Sequence, residues 1–141
     1  NPNLTAEVLT PAPDIWFKTG DIARLDEDGY LYITGRIKDM IIMAGEKMFP
    51  REIEDVLKQH PQVLHAAVMG VKDPSRGEVP VAFVQLQSDL PADQKPSAST
   101  LRSFVREKVA AYKVPRDVYF VENMPRSGTG KILKRELQIP G

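Results

Sequence analysis

The 141-residue chain has no cysteine, which excludes disulfides, thiolate metal sites and a cysteine nucleophile. Histidine is nearly as scarce: His60 and His65 are five apart across Pro61, match no metal-ligand spacing and read as structural. No apolar run approaches the roughly 20 residues that span a bilayer. No secretory signal pattern is visible, and the opening Asn1-Pro2-Asn3 lacks Met, so the native start is expected further upstream. The lack of cysteine is compatible with a reducing cytoplasm, the expected setting.

What is present is a globular composition, with 42% hydrophobic and 27% charged residues. A chain of this length has room for one ordinary domain with a modest core and an appended piece. The formal net charge is zero, but unevenly spread: residues 102–141 carry 9 Lys and Arg against 4 Asp and Glu. A basic end of that kind favours phosphorylated partners, nucleotide or nucleic acid, or is a solvated face.

Residues 1–14 contain three prolines without periodicity and read as a loop cut from something larger. Alternating residues from Ile15 to Thr34, broken by Asp28-Gly29, predict a β-hairpin. Two strands are marginal alone, so its sheet partners are expected in a missing N-terminal domain. An apolar strand over Met40–Ala44 leads through a glycine-containing loop to a helix from Pro50 to His60, stopped by Pro61. Val63–Val71 and Val79–Gln87 predict two strands across the turn Asp73-Pro74-Ser75-Arg76-Gly77-Glu78. Ser99 or Thr100 caps a second helix through Ala111, strand Val118–Val121 follows, and a short helix spans Ile132–Leu137. The expected fold is α+β: a small domain over residues 38–141 with about a three-stranded sheet and flanking helices. The hairpin within residues 1–37 is the tail of a larger domain.

The densest stretch runs from Gly35 to Glu54. Charged Arg36, Lys38 and Asp39 precede the apolar strand, Gly45 supplies a turn where backbone can pass close to a ligand, and Pro50 opens the helix. A second notable loop is Pro125-Arg126-Ser127-Gly128-Thr129-Gly130-Lys131, which projects one ammonium after two glycines. It is not a Walker loop, since that spacing needs glycine at Pro125 and Ser or Thr at Ile132. Met40, Met43 and Met48 read as core or as lining of a passage.

These two segments, with Phe17-Lys18-Thr19-Gly20-Asp21 upstream, resemble the ordered motifs of the adenylate-forming superfamily, which includes acyl-CoA synthetases, peptide-synthetase adenylation domains and luciferases. The resemblance covers the C-terminal part of such an enzyme. It implies that Lys131 is catalytic, reaching the carboxylate substrate and the ATP phosphate during adenylation. It also implies that Asp21 accepts the ribose hydroxyls, that Arg36 donates nearby, and that Lys38 is the hinge, where many members have Asp and others Lys. Read without the family, Asp21 is a turn residue and Lys131 a surface lysine. Gly45 resembles the loop lining a pantetheine tunnel, and Arg76, Tyr112, Lys113 and Arg116 resemble positions near the nucleotide end of coenzyme A. Ser127 stands where members often place Thr.

The expected whole protein is an acid–thiol ligase that converts a carboxylate and ATP to an acyl-adenylate, then transfers the acyl group to coenzyme A. Mg²⁺ would arrive with ATP and be held by phosphates and the missing domain. The piece alone is expected to be inactive. The Gln-Val-Lys-Ile-Arg-Gly run of peptide-synthetase domains is absent, which favours coenzyme A over a carrier protein. A different class of reading is a stand-alone basic module binding RNA or an acidic partner, which low-salt binding by this chain would reveal; the resemblance argues against nucleic acid.

Overall fold

The computed structural model describes residues 19–141; Phe17, Lys18 and the proline-rich start lie outside the described residues. The chain forms two compact units, Asn1–Lys38 and Asp39–Gly141.

In the first unit, β1 (Asp21–Leu25) pairs antiparallel with β2 (Leu31–Arg36). Asp26 builds the turn: its carboxylate accepts the N–H groups of Asp28 (3.0 Å) and Tyr30 (2.9 Å), and Gly29 takes φ +85°. Those bonds, the Tyr30 amide foremost, hold the Asp26 carboxyl below its usual range. A bulge between Ile22 and Ala23 leaves Thr34 unpaired, and its hydroxyl donates to the Ile22 carbonyl at 3.1 Å. Leu25, Leu31 and Ile33 are more than half exposed on this hairpin.

The second unit is the expected small α+β domain, but its sheet has five strands rather than three and it has two α-helices rather than three. Strands β3 (Ile41–Met43) and β4 (Glu46–Met48) form a hairpin whose second strand falls in the glycine-containing loop that the sequence predicts. Ala44 (φ +50°) and Gly45 (φ +87°) form its two-residue turn, the pair of positive dihedrals that matches strand twist. Strand β5 (Val63–Asp73) pairs antiparallel along its length with β6 (Gly77–Leu86), as the sequence predicts. The other side of β6 takes β3 at Gly77 and, in parallel, β7 (Asp117–Phe120).

Helix α1 (Pro50–Lys58) starts on Pro50, whose missing N–H costs nothing there, and carries Glu52 in its first turn and Lys58 in its last. Its buried Ile53 and Leu57 face the sheet. Helix α2 (Ala98–Arg106) is capped earlier than predicted: the Ser97 hydroxyl accepts the Thr100 N–H at 3.1 Å. It also ends earlier than Ala111. Ala110 turns extended (φ −58°, ψ 147°), which lets Val109 and Tyr112 drop onto the core. The predicted helix over Ile132–Leu137 shrinks to one 3₁₀ turn, Lys134–Glu136, because Ile132 is drawn into an extended bridge with Arg126.

Both faces of the sheet are buried. The helices cover one face, with Ile41, Met48, Ile53, Leu57, Val68 and Val84 in its core. The segment after β7 covers the other, where Met124 and Leu137 lie on Ala67, Val81 and Phe83. Met48 is therefore core, while Met43 is partly buried beside it. At roughly 2 kcal/mol per fully buried apolar side chain, these layers supply the main drive for folding. His60 rests edge-on against Phe104 with ring centres 5.0 Å apart.

Candidate functional site

In the first unit, the hairpin register sets Asp21 opposite Arg36, and the guanidinium Nε lies 3.1 Å from the Asp21 carboxylate. The Asp21 side chain is 26% exposed, so it stays open to a further donor. Lys38 lies exposed in a 3₁₀ turn, Ile37–Asp39, and the boundary between the two units follows it.

In the second unit the expected residues fall into two groups. Gly45, Arg76 and Arg116 gather at the start of β6. The Ala44 N–H donates to the Arg76 carbonyl at 2.8 Å, and the Arg116 N–H donates to the Pro80 carbonyl at 2.8 Å. Asp73 shapes this end: its Oδ1 accepts the Ser75 hydroxyl (2.8 Å) and the N–H groups of Ser75 and Arg76. The Ser75 hydroxyl, more than any other partner, holds the Asp73 carboxyl below its usual range. Arg116 spans Asp117 at 2.8 Å and Asp73 at 3.3 Å, and Asp117 chiefly raises its already high pKa. Lys113 pairs with Glu52 at 2.7 Å, the hydrogen bond that raises its pKa. Tyr112 packs on the helix-side core, so much of its ring is already covered.

Lys131 belongs to the second group, beyond the other end of β6. The Met124 N–H donates to the Gln85 side chain at 3.2 Å, where the glycine loop begins. The eight residue steps from Gly77 to Gln85 correspond to roughly 27 Å of strand. The loop is braced rather than loose. Ser127 N–H donates to the Lys131 carbonyl (2.8 Å), Gly130 N–H to Ser127 (2.9 Å) and Leu133 N–H to Pro125 (2.8 Å). The Arg126 guanidinium donates to the Gly130 carbonyl at 2.7 Å, and the Ser127 hydroxyl accepts the Lys131 N–H at 3.2 Å. Glycine is required at position 130, where φ is +85°. The Lys131 side chain is exposed and forms no ion pair among the described residues.

An ion pair that no local signal in the sequence announces joins Glu54 on α1 to Lys134 after the loop at 2.6 Å. Among the described residues no three His, Asp or Glu side chains converge as a metal site. No helix is long and apolar enough to cross a membrane. An open cleft of about 460 Å³ between His60, Ser99, Thr100, Ser103, Phe104 and Glu107 holds none of the expected site residues.

On this small mixed sheet, the braced glycine loop therefore carries an exposed ammonium that forms no ion pair among the described residues. Residues 52–131 match the model of the AMP-binding enzyme C-terminal domain, and the chain belongs to that family. Among curated relatives, the 2-succinylbenzoate–CoA ligase of Geobacillus kaustophilus is 45% identical over 97% of this chain and 26% of its own length. A fatty acid–[acyl-carrier-protein] ligase of Streptomyces coeruleorubidus is 44% identical over 97% of this chain and 25% of its own. The o-succinylbenzoate CoA synthetase of Bacillus subtilis, solved with its acyl-adenylate intermediate, superposes with a TM-score of 0.79 at 36% identity, over 89% of this chain and 25% of that one. The chain thus spans about a quarter of the relatives it matches.

Proposed function

We propose that this chain is the C-terminal lid of an AMP-forming acid–thiol ligase, with residues 1–37 the tail of the large adenylation domain and residues 38–141 the mobile part. In the first half-reaction a carboxylate oxygen attacks the α-phosphorus of ATP and pyrophosphate leaves. Lys131 offsets the negative charge that develops on the phosphate and carboxylate oxygens. Asp21 accepts the ribose hydroxyls, and Arg36, paired to it, holds that carboxylate in place. In the second half-reaction the sulfur of coenzyme A attacks the acyl carbon, its proton leaves to solvent, and AMP departs. Gly45, having no side chain, leaves the approach of the thiol open, while Arg76, Arg116 and Lys113 with Tyr112 serve the nucleotide end of coenzyme A. Mg²⁺ travels with ATP, held by phosphates and by the large domain. Exposed Leu25, Leu31 and Ile33 on the first hairpin are what a strand pair torn from a larger sheet would show.

One observation carries this reading: the free ammonium of Lys131 and the Gly45 turn sit at opposite ends of one strand, so a single lid can offer either group by turning on Lys38. In the full-length protein, Lys131→Ala is expected to cut carboxylate-dependent ATP–pyrophosphate exchange at least about a hundredfold while thioester formation from supplied acyl-adenylate persists. Unchanged exchange would overturn the reading. The carrier-protein ligase among the relatives favours a second acceptor. Mass analysis of the product formed with coenzyme A and with a phosphopantetheinyl carrier protein separates the two.

A further inference from the structure

Strand β5 pairs only with β6 among the described strands, so its outer edge carries amides without a ladder partner. At Val68 that amide is taken by a side chain. Glu54 reaches from α1, on one face of the sheet, and its Oε1 accepts the Val68 N–H at 2.9 Å. From the other face Lys134 brings its Nζ to 2.6 Å from the same oxygen. Helix, strand edge and C-terminal segment therefore meet at one carboxylate, and the two side chains are only 15% and 29% exposed. Among the described residues this is the one ion pair that includes a residue of 121–141.

Lys134 is three residues past Lys131, and the residues between are already fixed. Ile132 packs on the sheet's second core, and the Leu133 N–H is bonded to Pro125. At the other end of the loop, Gln85 holds the Met124 amide. The glycine loop is thus anchored on both sides: by a neutral hydrogen bond where it leaves the sheet, and by a charged pair where it returns.

We propose that Glu54 and Lys134 are positioning residues for Lys131. They clamp the returning strand of the glycine loop to the edge of β5, so that the ammonium at its tip is presented from a fixed base. The inference rests on the role of Lys131 proposed above. Neither residue touches a reacting group. They narrow the range of positions from which a long, freely rotating lysine can meet developing charge.

The test uses the full-length protein and the variants Lys134→Gln, Glu54→Gln, Lys134→Arg and Lys131→Ala. Glu54→Gln keeps an oxygen for the Val68 amide and removes only the charge, which separates the clamp from the edge cap. Both neutralising variants are expected to slow ATP–pyrophosphate exchange about tenfold, with thioester formation from supplied acyl-adenylate unchanged. Amide hydrogen exchange at Ser127, Gly130 and Leu133 should accelerate in both, while amides of β6 keep their protection. Lys134→Arg should restore both readouts. Two results would overturn the proposal: full adenylation in Lys134→Gln where Lys131→Ala is impaired, or a parallel fall of both half-reactions with the melting temperature. An unimpaired Lys131→Ala would instead remove the functional reading itself, and this role with it.

Discussion

Ala44 donates its backbone N–H to the carbonyl of Arg76 at 2.8 Å, so the β3–β4 turn is tied to the loop that opens β6. The turn cannot shift without breaking that bond. Gly45 beside it has φ +87°, and a side chain there would meet nothing within 4 Å. Gly45→Ala should therefore cost only the backbone penalty, about 1 kcal/mol, seen as a lower midpoint in urea. Gly45→Leu carries the same backbone penalty and adds bulk. If this turn lines the path of the thiol, thioester formation should fall about a hundredfold in the leucine variant and not in the alanine one, with adenylation retained in both. Equal thioester rates in the two would remove Gly45 from that role.

Ala44 itself sits at φ +50°, in the left-handed region that alanine populates at a cost of roughly 1 kcal/mol. Asparagine tolerates this region far better, and Asn-Gly is the preferred pair in such two-residue turns. Ala44→Asn is expected to raise stability by about 0.5 kcal/mol, measured as a shift in denaturation midpoint with an unchanged slope.

Much of this was legible in the chain because the signals were local. Asp28-Gly29 marked the first hairpin, and the Val63–Val71 and Val79–Gln87 runs around Gly77 marked the long one. Strand β4 was not legible: Glu46-Lys47-Met48 has two charges in three residues and becomes a strand only because Ile41–Met43 lies beside it. The cap of α2 was misplaced because Ser97, Ser99 and Thr100 are all competent; the choice falls to whichever lets Leu101 and Val105 reach the core. The placement of Gly45, Arg76 and Arg116 at one end of β6 follows from strand order, which no local pattern states. Glu54 and Lys134 are eighty residues apart in sequence, and their meeting at a strand edge could be found only in three dimensions.

Phe83 is fully buried in the sheet's second core, with its ring centre 5.5 Å from that of Tyr119 and with Met124 and Leu137 in the same cluster. Phe83→Ala should cost about 3–5 kcal/mol, the transfer loss plus the cavity left behind. Because this core holds the segment bearing the glycine loop, amide exchange in residues 124–137 should rise in the variant before that of α1. Uniform acceleration across the domain would show that the segment does not open separately.

Glu52 lies 2.7 Å from the Lys113 ammonium, with the two side chains 44% and 20% exposed. A partly exposed pair of this kind contributes at most about 1 kcal/mol to folding. If Lys113 serves the nucleotide end of coenzyme A, as proposed, the carboxylate competes with the phosphate brought to it. Glu52→Gln should leave the melting temperature almost unchanged and lower the KM for coenzyme A about threefold, an effect that shrinks in high salt. A raised KM would mean that Glu52 orients Lys113 rather than masking it.

His60 and His65 set the response to acid. Burial lowers the pKa of His60 below the usual 6.5. Burial, then the nearby charges of Arg126 and Lys58, do the same for His65. His60 also accepts the Gln62 N–H on Nδ1 at 3.3 Å, a bond its protonated ring cannot make. Each histidine therefore binds a proton more readily in the unfolded chain than in the folded one. Stability rises with pH wherever the unfolded state holds more protons, so it should be level above the ordinary histidine range and decline as pH falls through about 6.5 toward the lowered folded values. Asp26 and Asp73 are held below 3.8, so their stabilisation persists through this window and is lost only in stronger acid. Urea midpoints at pH 7.5, 6.0 and 5.0 should decline in that order, and the double substitution His60→Gln with His65→Gln should flatten the decline. Midpoints that rose with acid would mean that the folded rings are stabilised in their charged form.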